Sequence, residues 1–285
     1  MNRVKSIFIG FYPMLAMGIT GYAGRQLYLT RDVLAWVGPL MTSVPFMMFL
    51  SYIMMLKTVA RTSSRFPGVN AVAIVGAALS GYVAFVRGGT GALPFAFAAS
   101  GAVGFALYSV WYSRLGRSPS KLAVGRPFPE SSFKKIDGGT FSTRELEGRP
   151  ALMFFYRGNW CPLCMAQVKE ISARYREIAE LGARVVLISP QPHKNTAALA
   201  KRFDVPFEFL TDEGNRVAKA LDLEMKSGLP MGMGLLGYDA DTVFPTVVVM
   251  DAKGVVRWLD QTDNYRVRPE PDTFLPLLRQ LATGV

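Results

Sequence analysis

Cys161 and Cys164, three positions apart, are the whole thiol complement of this 285-residue chain. A thiolate is the attacking form in disulfide exchange and in peroxide reduction, so a cysteine doing either needs its pKa drawn below the usual value of about 8.5. The surrounding residues offer a means. Pro162 suits the first turn of a helix, and Val168, Ile171, Tyr175, Ile178 and Leu181 recur at steps of three or four until Gly182. Cys161 then stands at a helix N-terminus, where unpaired amides and the positive dipole end favour thiolate, and Cys164 follows one turn on, within reach of a disulfide.

Other side chains nearby could join this chemistry. Arg157, four residues before Cys161, could place positive charge beside a thiolate or a peroxide oxygen, or could be a solvated loop arginine. Trp160 is expected to shield the pair by packing. His193, the single histidine, could act as a base but reads as a surface residue of the SPQPHK turn. One Cys pair and one histidine give a zinc ion too few ligands without distant carboxylates, so neither a metal nor an organic cofactor is expected.

The elements that must hold these residues form a βα pattern over 121–285. Residues 133–136 and 140–141 around Asp137-Gly138-Gly139 read as a small hairpin, and Ser142 with Glu145 as a capping box. The apolar run 151–156 reads as a strand buried on both faces, leading straight into the cysteines. Strands at 185–189 and 207–210 alternate with helices at about 195–203 and 215–221. A hairpin of 247–250 with 255–260 follows, then a last amphipathic helix carrying Phe274, Leu277, Leu278 and Leu281. Such alternation predicts an α/β fold, a central mixed sheet flanked by helices. Residues 229–237, rich in Gly and Met, read as a connecting loop.

Residues 122–285 resemble the thioredoxin-fold, peroxiredoxin-like AhpC/TSA (redoxin) family. The segments VGRPFP, FFYRGNWCPLC, LISPQ, VPFEFLTDEGNRVAKAL, FPTVVVMDAKGVVRW and NYRVRPEP carry the match in order. The resemblance implies a thioredoxin-like fold, Cys161 as the attacking thiol, Cys164 as its resolving partner, and Pro245 as a cis proline facing the disulfide and exposing the backbone of Phe244. Family members carry Thr or Ser three residues before the attacking cysteine; counted from Cys161 that position is Gly158, a departure from the pattern. The activity implied is an antioxidant one, reduction of a peroxide by the C-x-x-C site with an external thioredoxin-like or glutathione system restoring the dithiol. Reduction of protein disulfides, or a non-catalytic docking role, are the alternatives.

The first part of the chain belongs to another solvent. Residues 1–130 hold 12 of the 32 basic residues but only 2 of the 21 acidic ones, and stretches 6–24, 33–56, 66–86 and 88–113 carry no charge at all. Four transmembrane helices are predicted, at about 6–24, 33–56, 67–86 and 89–113, within a membrane domain of residues 1–120. The net charge of +11 lies mostly between these runs and forms no nucleic-acid stripe. Lys57, Arg61 and Arg65, with the N-terminal and post-span basic residues, put both termini on the cytoplasmic side of a bacterial-type inner membrane. With no Cys or His and only Asp32 as an acid, this part offers no electron or proton path and is read as an anchor in the lipid bilayer. Gly18, Gly21, Gly24, Gly101 and Gly104 are expected to form close-packing faces.

Overall fold

The computed structural model describes residues 2–56, 58–87 and 91–283, which fall into two units: residues 3–56 with 63–87 and 91–114, and residues 2, 58–62 and 115–283.

Four helices make the first unit: α1 (Asn2–Thr30), α2 (Val33–Leu56), α3 (Pro67–Arg87) and α4 (Ala92–Tyr112). Each is long and apolar enough to cross a membrane, since even 21 residues at 1.5 Å rise cover about 30 Å. The first helix is longer than its uncharged run and takes in Arg3, Lys5 and Arg25 at its ends. Helices α3 and α4 both widen into a π-helical last turn, at Val83–Arg87 and Leu107–Tyr112. Lys57 and residues 89–90, the predicted start of the fourth span, lie outside the described residues.

Glycines set the closest approaches in this unit, Gly101 and Gly104 as expected and Gly38 and Gly76 besides. A Cβ on Gly38 would come within 2.5 Å of the Gly76 carbonyl, and one on Gly76 within 2.8 Å of the Gly38 carbonyl, so α2 and α3 meet backbone to backbone. Gly101 faces Thr42 and Gly104 faces Tyr12, whereas Gly18, Gly21 and Gly24 have nothing within 4 Å of the Cβ position and form no packing face.

The second unit is a mixed seven-stranded sheet flanked by helices, the thioredoxin-like fold. Its strands are β1 (Ser132–Lys134), β2 (Thr140–Ser142), β3 (Ala151–Phe155), β4 (Arg184–Ser189), β5 (Glu208–Thr211), β8 (Thr246–Met250) and β9 (Val256–Asp260), in the order β2-β1-β5-β4-β3-β8-β9. Two short strands, β6 (Glu224–Met225) and β7 (Thr242–Val243), pair separately. Strands β3, β4 and β5 run parallel, and β8 pairs antiparallel with β3 from Ala151↔Met250 to Phe155↔Thr246. The helices are α5 (Pro162–Ala173), α6 (Tyr175–Glu180), α7 (His193–Phe203), α8 (Arg216–Ala220) and α9 (Pro271–Thr283).

Every residue of β3 is buried because the strand is covered on both sides. Ala151, Met153 and Phe155 enter one core, while Leu152, Phe154 and Tyr156 enter the other with both cysteines and the buried faces of α5 and α9. Ser142 and Glu145 form the capping box, here over a single 3-10 turn. The helix expected to run unbroken to Gly182 is two helices. Arg174 leaves helical geometry (φ −102°, ψ 13°) and bonds back to Ile171 at 3.1 Å, closing α5 before α6 begins.

Candidate functional site

The chain leaves β3 through Tyr156, whose N–H donates to the Ile188 carbonyl at 2.9 Å, and turns through residues 157–160 before α5. Gly158 makes the turn at φ +142°, and a Cβ there would lie 2.7 Å from Nε1 of Trp160. Two outside groups pin the loop: the Asn159 N–H donates to Oε1 of buried Gln191 at 2.7 Å, and the Tyr238 hydroxyl donates to Oδ1 of Asn159 at 2.5 Å. Cys161 is the residue before the first helical turn, Pro162 opens that turn, and Cys164 follows within it.

Both cysteines are free and buried. The side chain of Cys161 accepts none of the first-turn amides, so the thiolate expected there has no helix-end hydrogen bond. Cys164 has a partner from far along the chain: Nη2 of Arg268 lies 3.6 Å from its Sγ. Arg268 is 6% exposed and also donates from Nε to the Tyr265 carbonyl (2.9 Å) and from Nη1 to Oε1 of Gln167 (3.3 Å). Among the described residues none of these partners is a carboxylate, and a buried cation favours an anion beside it.

Charge therefore settles on the second sulfur. At Cys164 burial works against the thiolate, but the hydrogen bond from the Cys161 thiol, the Arg268 guanidinium, a backbone bond from Arg157 and the Arg157 charge outweigh it, bringing the pKa down to about 5. Cys161 is pushed up, first by the hydrogen bond it gives to Cys164 and then by burial. The two sulfurs titrate as a pair, Cys161 shifted upward and Cys164 downward, the reverse of the order of acidity expected from the sequence. Counted back from Cys164, the position three residues earlier is Cys161 itself, so a donor stands where Gly158 offered none.

Arg157 is no solvated loop residue. It is 4% exposed, donates from Nη2 to the Gly228 carbonyl at 2.5 Å, and its guanidinium lies 4.7 Å from the ring centre of Trp160 and 5.8 Å from that of Tyr265. Trp160 packs against the core that holds both cysteines, and its buried Nε1 has no partner among the described residues. His193 opens α7 with Nδ1 3.3 Å from Oγ1 of Thr211.

Pro245 follows a trans peptide bond, since the described residues contain no cis bond. The trans form is the intrinsically favoured one, and the flanking groups are already engaged. The Phe244 N–H donates to the Leu223 carbonyl at 2.7 Å, its carbonyl accepts from Oγ1 of Thr246 at 3.0 Å, and the Pro245 carbonyl accepts from Nη1 of Arg117 at 3.1 Å. The backbone of Phe244 is thus not open to an extended substrate.

Arg268, Gln167, Gln191 and Tyr238 escape a sequence reading of this site. The available signal for Arg268 was the NYRVRPEP segment, with two arginines in a stretch that matches a thiol enzyme; Gln167 could have been found as the residue one turn after Cys164.

The AhpC/TSA family profile matches residues 124–259. The chain is 30% identical over 164 residues to a chloroplastic peroxiredoxin Q of Populus jackii, covering 57% of this chain and 70% of the relative. It is 32% identical over 162 residues to that of Sedum lineare, covering 57% and 81%. Among solved structures, a peroxidoxin BcpB from Mycobacterium tuberculosis aligns with a TM-score of 0.47 at 21% identity, over 56% of this chain and 98% of that one.

Proposed function

Because the chain belongs to the AhpC/TSA peroxiredoxin family, we propose that it is a membrane-anchored thiol peroxidase in which Cys164 attacks the peroxide and Cys161 resolves the product. The observation that carries this reading is the Arg268 guanidinium 3.6 Å from the Cys164 sulfur with no carboxylate among its partners in the described residues. The thiolate of Cys164 attacks one peroxide oxygen, the O–O bond breaks, and the alkoxide or hydroxide takes a proton and leaves as alcohol or water. Cys164 becomes a sulfenic acid. The Cys161 sulfur then attacks it, water leaves, and a Cys161–Cys164 disulfide remains. An external dithiol of a thioredoxin-like system, or two glutathione thiols, takes up the oxidising equivalents and restores both thiols.

A small oxidant is favoured over a protein disulfide because the backbone of Phe244 is already bonded to Leu223 and Thr246. The four apolar helices supply the anchor, and the Lys and Arg distribution favours a cytoplasmic location for the thiol unit in a bacterial-type inner membrane. Single-turnover peroxide consumption by the full chain in detergent tests the assignment. Cys161→Ser should consume one equivalent and stop as a sulfenic acid, and Cys164→Ser should consume none. The opposite pattern would return the attacking role to Cys161.

A further inference from the structure

Arg268 is the last link in a chain of contacts that begins outside the family-like part of the sequence. Residues 58–62, from the connection between α2 and α3, belong to the second unit. There Arg61 donates from Nε to the Arg268 carbonyl (3.2 Å) and from Nη2 to the Pro269 carbonyl (3.4 Å), while the Thr62 N–H donates to the Arg266 carbonyl at 2.9 Å. The same guanidinium forks onto Glu170 (2.5 and 3.2 Å), and Glu270 lies 3.4 Å away. Glu170 is on α5, the helix that carries Cys164.

We propose that Arg61 is a positioning residue for the Cys164 site: it fixes the backbone at Arg268 and Pro269 and ties it to α5, so that the Arg268 guanidinium stays against the Cys164 sulfur. The segment 261–270 between β9 and α9 has no regular ladder; it meets the carbonyls of Asn264 and Tyr265 from within, and Arg61 and Thr62 supply donors at 266, 268 and 269. A planar fork suits this task, reaching two carbonyls and a carboxylate from one rigid group. Through it, residues that link two apolar helices bear on the acidity of the thiol. The role of Arg61 in turnover rests on the peroxidase reading; its effect on the sulfur does not.

The test uses the full reduced chain in detergent, with alkylation of Cys164 by iodoacetamide followed by mass spectrometry across pH. Arg61→Ala should move the alkylation midpoint upward, with roughly threefold to tenfold less Cys164 modified per unit time on the rising limb. Arg61→Lys, which keeps a cation opposite Glu170 but loses the fork, should shift it the same way by less. In an Arg268→Gln background Arg61→Ala should add nothing further. An unchanged midpoint, or an equal shift in both backgrounds, overturns the proposal. Should Arg61→Ala fail to fold, Glu170→Gln removes the anchor of Arg61 on α5 and carries the same expectations. Peroxide consumption on the same samples separates the two readings: a shifted midpoint without turnover in any sample rejects the peroxidase and leaves the positioning role standing.

Discussion

Gln167 spends both ends of its amide on one segment: Oε1 accepts from Nη1 of Arg268 at 3.3 Å and Nε2 donates to the Pro269 carbonyl at 3.4 Å. It is 1% exposed and stands on α5 one turn beyond Cys164, so it joins the helix of the sulfur to the guanidinium that faces the sulfur. Arg61 holds the same segment and shares the Pro269 carbonyl with Gln167.

Gln167→Leu keeps the volume and removes both bonds. A buried guanidinium N–H loses its partner and the Pro269 carbonyl keeps only Arg61, which costs about 1–3 kcal/mol. The full chain in detergent should melt earlier, and Cys164 should alkylate more slowly on the rising limb of its pH profile. A variant that melts earlier while its sulfur reacts as before would confine Gln167 to a structural role.

The fold and the site were legible to different depths, for a physical reason. Strand β3 and the start of α5 are written locally, as an unbroken apolar run and a proline after a cysteine, and the capping box of Ser142 and Glu145 needs only four residues. The pairing of Arg268 with Cys164 spans 104 positions and leaves no periodicity behind. The helix-end amides beside Cys161 are local in the same way, whereas the guanidinium that distinguishes two sulfurs one turn apart is not. Strands β6 and β7, two residues each, are too short to show an alternation.

The acidity of Cys164 makes a signed prediction about stability. Its native value, about 5, lies below that of a thiol in an unfolded chain, so the thiolate favours the native state. That contribution is complete above the unfolded value of about 8.5 and vanishes as pH falls through the native value. The melting temperature of the reduced wild-type chain minus that of Cys164→Ser should therefore shrink steadily from pH 9 to pH 5. A difference that stays flat across this range would place the charge on another group.

Gly158 offers a test of the loop before the pair. Alanine there meets both a backbone at φ +142° and a Cβ position 2.7 Å from the Trp160 indole nitrogen. Strain of this kind costs about 1–3 kcal/mol. Gly158→Ala should destabilise by that order and push Trp160 away from Arg157, read as a change in the tryptophan fluorescence difference spectrum against wild type. Trp160→Phe, which removes the indole N–H but keeps a ring over the guanidinium, should soften the cost of Gly158→Ala in the double variant.

The glycines of the apolar helices separate packing from mere smallness. Gly38 and Gly76 face each other across α2 and α3, with Gly38 also 2.1 Å from Oγ of Ser80 at the Cβ position, whereas Gly21 on α1 has open space there. A side chain at Gly38 must force two backbones apart, and overpacking of this kind costs about 1–3 kcal/mol or more. A side chain at Gly21 meets nothing and, in mid-helix, relieves the conformational freedom of glycine by about 0.5–1 kcal/mol. Gly38→Val should lower the melting temperature of the full chain in detergent, and Gly21→Ala should leave it level or raise it. If the two variants behaved alike, the close approach of α2 and α3 at Gly38 and Gly76 would be excluded as the contact that sets their crossing.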